Sequence, residues 1–164
     1  MGGGTGGPEM ALISESCANA NARIRFFRVA FGAAAEGQMI GRRDVVSILE
    51  ATSKGGRLRY DWGPPGDMER AEVQLALLAL LCAETALPRG GLVSVDFSAG
   101  RWRILAQGSA PRIDPEVWGA LTEPGARKAL APAHVQFALL PQLAEARGRH
   151  TDFAAGEESL RMTV

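Results

Sequence analysis

Two histidines, His134 and His150, are the side chains of this 164-residue chain most suited to nucleophilic or proton-transfer chemistry, because a neutral imidazole is reactive near pH 7. Neither has the setting that such chemistry asks for. His134 precedes Val135 near the start of a predicted helix, and His150 precedes Thr151 at the start of a predicted strand. Neither is followed by an acid, so both read as ordinary histidines. Cys17 and Cys82 fall at apolar helical positions and read as small core residues of a reducing compartment, with no disulfide between them. No P-loop pattern occurs. The sequence therefore assigns no catalytic residue, no cofactor-binding residue and no metal ligand. What remains are arginines: Arg23, Arg25 and Arg28 in one group, Arg42 and Arg43 in another, each read first as a solvated helix face.

The first arginine group sits on the element that organises the chain, a helix predicted from Pro8 to about Ala34. Met10, Ile13, Cys17, Ala20, Ile24, Phe27 and Phe31 recur at steps of three and four, the spacing of a helix-bundle seam. Ala18, Ala22, Phe26 and Val29 form a second stripe beside it, as a helix with apolar neighbours on two sides requires. No other segment supplies a matching seam. The partners are expected from a second copy of the chain, from residues ahead of Met1, or from both, and Met1 is read as an internal methionine of a longer protein.

Eighteen basic and eighteen acidic residues cancel, which gives no support for nucleic acid or an anionic membrane as partner. The most apolar run, Ala71 to Leu87, is interrupted by Glu72 and Glu84 and is too short to span a bilayer, so it reads as a core helix. Residues 1–7 read as a flexible glycine-rich start without the apolar core of a secretory signal, and a cytoplasmic protein is expected.

After the first helix, the pattern predicts a helix over Arg43–Ser53 with Val45, Val46, Ile48 and Leu49 inward, stopped by Gly55 and Gly56. Alternation predicts a strand over Arg57–Trp62, then a long helix over Met68–Leu87. Leu92–Phe97 and Arg101–Gln107 form a predicted hairpin. Asp114 and Pro115 start a short helix ending near Thr122, and Glu123–Ala131 is irregular. A helix over Pro132–Arg147 contains Pro141, expected to kink or restart it, and His150–Ala154 with Ser159–Val164 closes the chain as a second hairpin. This order defines an α+β fold, a mixed sheet covered by helices on one face.

Two stretches resemble the ATP-binding domain of sensor histidine kinases, a Bergerat or GHKL-like sandwich that the resemblance makes degenerate in this chain. Residues Ala133–Val164 are similar to its closing helix and hairpin, with Glu145–Gly148 in place of an acidic-alanine-x-glycine stretch. LLALLCAETALPRGGLVSVDF is similar to its central helix, Pro-x-Gly-Gly turn and strand. By that resemblance the magnesium-binding asparagine falls at Ala83 or Cys82, neither of which offers the oxygen a hard cation needs. The adenine-contacting Asp-x-Gly-x-Gly motif falls at Ala106, Gln107, Gly108, Ser109 and Ala110, without its aspartate, and the second glycine motif falls at His134–Gln136, without a glycine.

A kinase-like sandwich without its ATP site, preceded by Arg23, Phe26, Arg28, Ala30, Phe31 and Gly32 in the run Arg-x-x-Phe-x-Arg-x-Ala-Phe-Gly, resembles the ChpT-type bacterial histidine phosphotransferases. The resemblance implies a pseudo-kinase domain at residues 40–164, the second helix of a bundle hairpin at 8–36, and a homodimer in a two-component phosphorelay. It implies as partners the receiver domains of response regulators and a hybrid histidine kinase. The family's phosphoacceptor lies in a His-Asp motif on the first hairpin helix, which is not found here, so this chain alone is expected to be inactive and to hydrolyse no ATP. Arg25, Phe26 and Arg28 are the receiver-docking candidates that follow. The alternative is a non-catalytic binding and dimerisation module that never carried the histidine.

Overall fold

The structure, a computed structural model, describes residues 6–164. The flexible start expected for residues 1–7 lies outside the described residues at 1–5, whereas Gly6 caps the first helix and Gly7 begins it. That helix, α1, is Gly7–Phe31, opened by Pro8 and by Glu9 in the first turn, where a carboxylate meets the positive helix end. It then passes into β1 (Met39–Ile40) and α2 (Arg42–Gly55), which ends at Gly56. β2 (Leu58–Trp62) and β3 (Met68–Glu69) lead into α3 (Arg70–Ala86). β4 (Gly91–Ser98) and β5 (Arg101–Gln107) make the predicted hairpin. α4 (Pro115–Trp118) runs into short 3-10 turns, α5 (Gln136–Glu145) follows, and β6 (Asp152–Ala155) and β7 (Ser159–Thr163) finish the chain.

The main sheet has five strands in the order β2-β4-β5-β7-β6, parallel between β2 and β4 and antiparallel elsewhere. The register lines up Trp62, Val95, Ile104, Met162 and Phe153 across all five strands. That row faces inward, and the next row, with Asp61, Ser94 and Arg161, faces outward, which is what the period-two alternation in the sequence encodes. On the inner face lies α3, whose Val73, Leu75, Leu77, Leu78, Leu80 and Leu81 are buried on every side. Each such side chain contributes about 1.5–3 kcal/mol relative to exposure, so α3 is the axis of the sandwich.

Gly90 and Gly91 explain the turn between α3 and β4. Gly91 has φ +154°, and a Cβ there would lie 2.0 Å from the Gln107 carbonyl oxygen; one on Gly90 would lie 2.3 Å from that of Arg57. Only glycine lets the turn press between the ends of β2 and β5.

Several expectations need correction. Met68 and Glu69 belong to a two-residue strand paired with β1 rather than to the long helix, because two residues leave no alternation to read. Pro141 sits buried inside an unbroken α5, and the predicted start of that helix is instead a 3-10 turn at Pro132–His134. Cys17 is exposed on α1 rather than in a core, while Cys82 is buried. In the second stripe Ala18 is exposed, but Ala22, Phe26 and Val29 pack onto the chain's own sandwich, so that stripe needs no outside helix.

Candidate functional site

The distinctive surface lies on α1, and it is built by the helix's two stripes. Phe26 and Ala30 are fully buried against α2 and α3, which turns the opposite face outward. On that face Met10 is 61% exposed, Ile13 57%, Ile24 49% and Phe27 38%, with Cys17, Ala20 and Phe31 also exposed. An exposed apolar stripe of this kind makes α1 the candidate interaction surface. The rings of Phe27 and Phe31 meet at a tilt of 46°, 5.7 Å between centroids. With Leu81, Thr85, Pro132 and Val135 they line a groove of about 360 Å³ between α1, α3 and the turn before α5.

The three arginines beside the stripe differ in what holds them. Arg23 pairs with Glu84 at 3.3 Å and lies 4.7 Å over the Phe27 ring. Arg25 donates a long hydrogen bond, 3.4 Å, to Ser47 Oγ on α2. The guanidinium of Arg28 has no hydrogen-bond or ion-pair partner among the described residues. Phe26 does not join them, because its ring is completely buried under Arg23 and cannot reach a partner. The surface therefore combines Arg25 and Arg28 with the exposed aromatics Phe27 and Phe31.

Of the positions that the kinase resemblance gives to nucleotide and magnesium, Cys82, Ala83, Ala106 and Gln136 are buried, while Gln107, Ser109, Ala110 and Val135 are exposed. Cys82 and Ala83 have no exposed surface, and burial pushes the Cys82 thiol well above its usual pKa. Ala106 is equally buried on the inner face of β5. The segment between the two former glycine motifs packs down: Trp118 is 1% exposed and sits 5.1 Å from the Phe137 ring and 5.0 Å from Phe153. Arg127 holds the same segment to α5 through Glu145, at 2.6 Å. Cys82 and Ala83 offer magnesium no oxygen and Ala106 offers adenine no polar side chain, so these three residues do not fit a nucleotide or its magnesium.

His134 lies in the 3-10 turn, edge-on to Phe137 at 6.1 Å, and His150 is exposed in the link between α5 and β6. Neither is on α1. The strongest polar cluster was missed at the sequence level. Glu72 on α3 accepts hydrogen bonds from Arg147, from Arg149 and, at 3.1 Å, from Trp102 Nε1. Burial works to raise its pKa, but the hydrogen bond and charge of Arg149, the charge of Arg147 and the Trp102 indole outweigh it and hold the carboxyl below the usual carboxylate range. A glutamate inside an apolar helix was the available signal.

A five-stranded mixed sheet with helices on one face defines a histidine-kinase-like GHKL sandwich. The chain belongs to the histidine phosphotransferase C-terminal domain family, which it matches over residues 42–159. Within that class it is of ChpT type: it is 32% identical over 120 residues to the protein phosphotransferase ChpT of Brucella abortus, an alignment covering 70% of this chain and 57% of that relative. It is also similar to a solved bacterial phosphotransferase, at 28% identity and a TM-score of 0.72, covering 94% of this chain and 77% of the other. A histidine kinase of Acinetobacter baumannii, AdeS, shares the fold alone, at 12% identity and a TM-score of 0.51 over 94% of this chain and 75% of the other. The chain thus spans little more than half the length of its curated relative. No helix among the described residues is long and apolar enough to cross a membrane.

Proposed function

We propose that this chain is the dimerising and receiver-docking portion of a phosphorelay histidine phosphotransferase, which moves phosphoryl between the receiver-domain aspartates of a hybrid histidine kinase and of response regulators. In such a transfer an imidazole nitrogen attacks the aspartyl phosphate, the P–O bond breaks as the P–N bond forms, and the carboxylate leaves; the reverse step loads the next aspartate. The acceptor histidine is assigned to a helix lying along the Met10–Phe31 seam, not to His134 or His150, which belong to the sandwich and not to a bundle helix. The work of this chain is to pair helices through the seam, forming a homodimer, and to hold the receiver.

The observation that carries this reading is the α1 surface: an uncovered apolar seam with the unpartnered Arg28 guanidinium beside it. A receiver's phosphorylation pocket is acidic, so cations next to an apolar anchor match it in charge and shape. Arg25 and Arg28 supply the charge, and Phe27 and Phe31 supply the apolar contact that Phe26 was expected to give. The test is titration of isolated receiver domains against wild type and Arg28→Glu. Binding is expected to weaken about tenfold while sedimentation shows the same oligomer; unchanged binding removes α1 from the docking surface.

A further inference from the structure

α1 projects well beyond the sandwich it packs on. From Arg28 to Gly7 it extends roughly 30 Å at about 1.5 Å per residue, and its buried residues, Ala22, Phe26, Val29 and Ala30, all lie in the carboxyl half. A tilt of about 10° at that end moves the tip by about 5 Å, enough to misplace anything carried on the seam. Something must fix the angle.

Phe26 and Val29, buried with Ala22 and Ala30, seat the carboxyl half of the helix on the sandwich, but burial is non-directional. The Arg23–Glu84 pair is more than a third exposed on both sides and contributes little. Besides the long, exposed Arg25–Ser47 hydrogen bond, the directional contacts come from the first turns of α3. Arg70 Nη1 donates to the Ala33 carbonyl at 2.6 Å and Nη2 to that of Arg28 at 2.7 Å. Gln74 Nε2, on a side chain that is itself buried, donates to the carbonyls of Ala30 at 3.0 Å and Gly32 at 3.1 Å. The Arg70 backbone N–H also reaches the Gln38 carbonyl at 2.7 Å. The last carbonyls of a helix usually turn to water or to its own continuing chain; here they are held by a second helix. Gly32 makes room for it, because a Cβ there would lie 2.1 Å from the Arg28 oxygen and 3.0 Å from the Arg70 guanidinium.

We infer that Arg70 and Gln74 are positioning residues: a clamp on the carboxyl end of α1 that fixes the helix at one angle to the sandwich, so that the two move as a single rigid body. The clamp acts on the helix whatever partner the seam takes.

The test is a distance distribution between nitroxide labels at Glu15→Cys on α1 and Arg103→Cys on the outer face of the sheet. The background is Cys17→Ser, with labelled chain diluted into excess unlabelled chain. With the clamp intact the distribution is expected to be single and narrow, and Arg70→Ala/Gln74→Ala is expected to broaden it at least about twofold. Arg70→Lys, which keeps the charge and stem but cannot bridge two carbonyls, is the gentler variant and is expected to broaden it as well. Glu72→Gln is the control, lowering the melting temperature of the sandwich while leaving the distance narrow. A broad distribution with the clamp intact, or one that stays narrow in Arg70→Lys and in any folded double variant, overturns the clamp.

Discussion

Glu72 concentrates the interior charge of the sandwich, and its partners come from far along the chain: Trp102 on β5, and Arg147 and Arg149 in the link after α5. Removing one member of such a buried cluster strands the others, so Glu72→Gln is expected to cost about 3 kcal/mol, read as a lower midpoint in denaturant. The pH dependence has a definite sign. Because the folded carboxyl is held below its usual range, its contribution is complete above the ordinary glutamate pKa and is lost as the pH falls through the lowered folded value. Wild type should lose stability in that acid window and Glu72→Gln should lose less; equal losses would show that the cluster does not govern acid stability. Sequence alone exposed only half of this. A lone glutamate in an apolar run is visible, but arginines more than seventy positions away are not. The same limit governs Phe26 and Phe27, one residue apart on α1. Both fit the helical spacing, and only the packing of the sandwich decides that Phe26 is buried and Phe27 is offered to solvent.

At the scale of elements, the strands and helices with a full period were legible: α1, α2, β2, α3 and the two hairpins follow directly from steps of three and four or of two. β1 and β3 were not, since a two-residue bridge is defined by its partner alone. Nor was the division of labour between the two stripes of α1, because periodicity shows that both want apolar neighbours without saying which neighbour is internal. The solvent-facing stripe carries the dimer proposal. Phe27→Asp places a charge in the middle of that stripe while leaving the Phe26 side untouched, so the dimer dissociation constant is expected to rise by more than about tenfold. The melting temperature of the sandwich should change little. Sedimentation equilibrium showing the same self-association in both proteins would place the dimer contact elsewhere.

For the molecule as a whole, the proposed function makes the kinase-like sandwich a support for α1. The apolar middle of α3 forms the core of the sandwich, and the first turns of α3 hold the carboxyl end of α1. On the proposed function the chemistry falls on a histidine outside the sandwich, fed by receivers rather than by ATP. The most direct measurement is to incubate the protein purified from its native cells with a receiver domain carrying radiolabelled aspartyl phosphate, then map the labelled residue by mass spectrometry. The account predicts label that requires the receiver and that lies on neither His134 nor His150. Label on either of those histidines, or label taken directly from magnesium-ATP without a receiver, would contradict it.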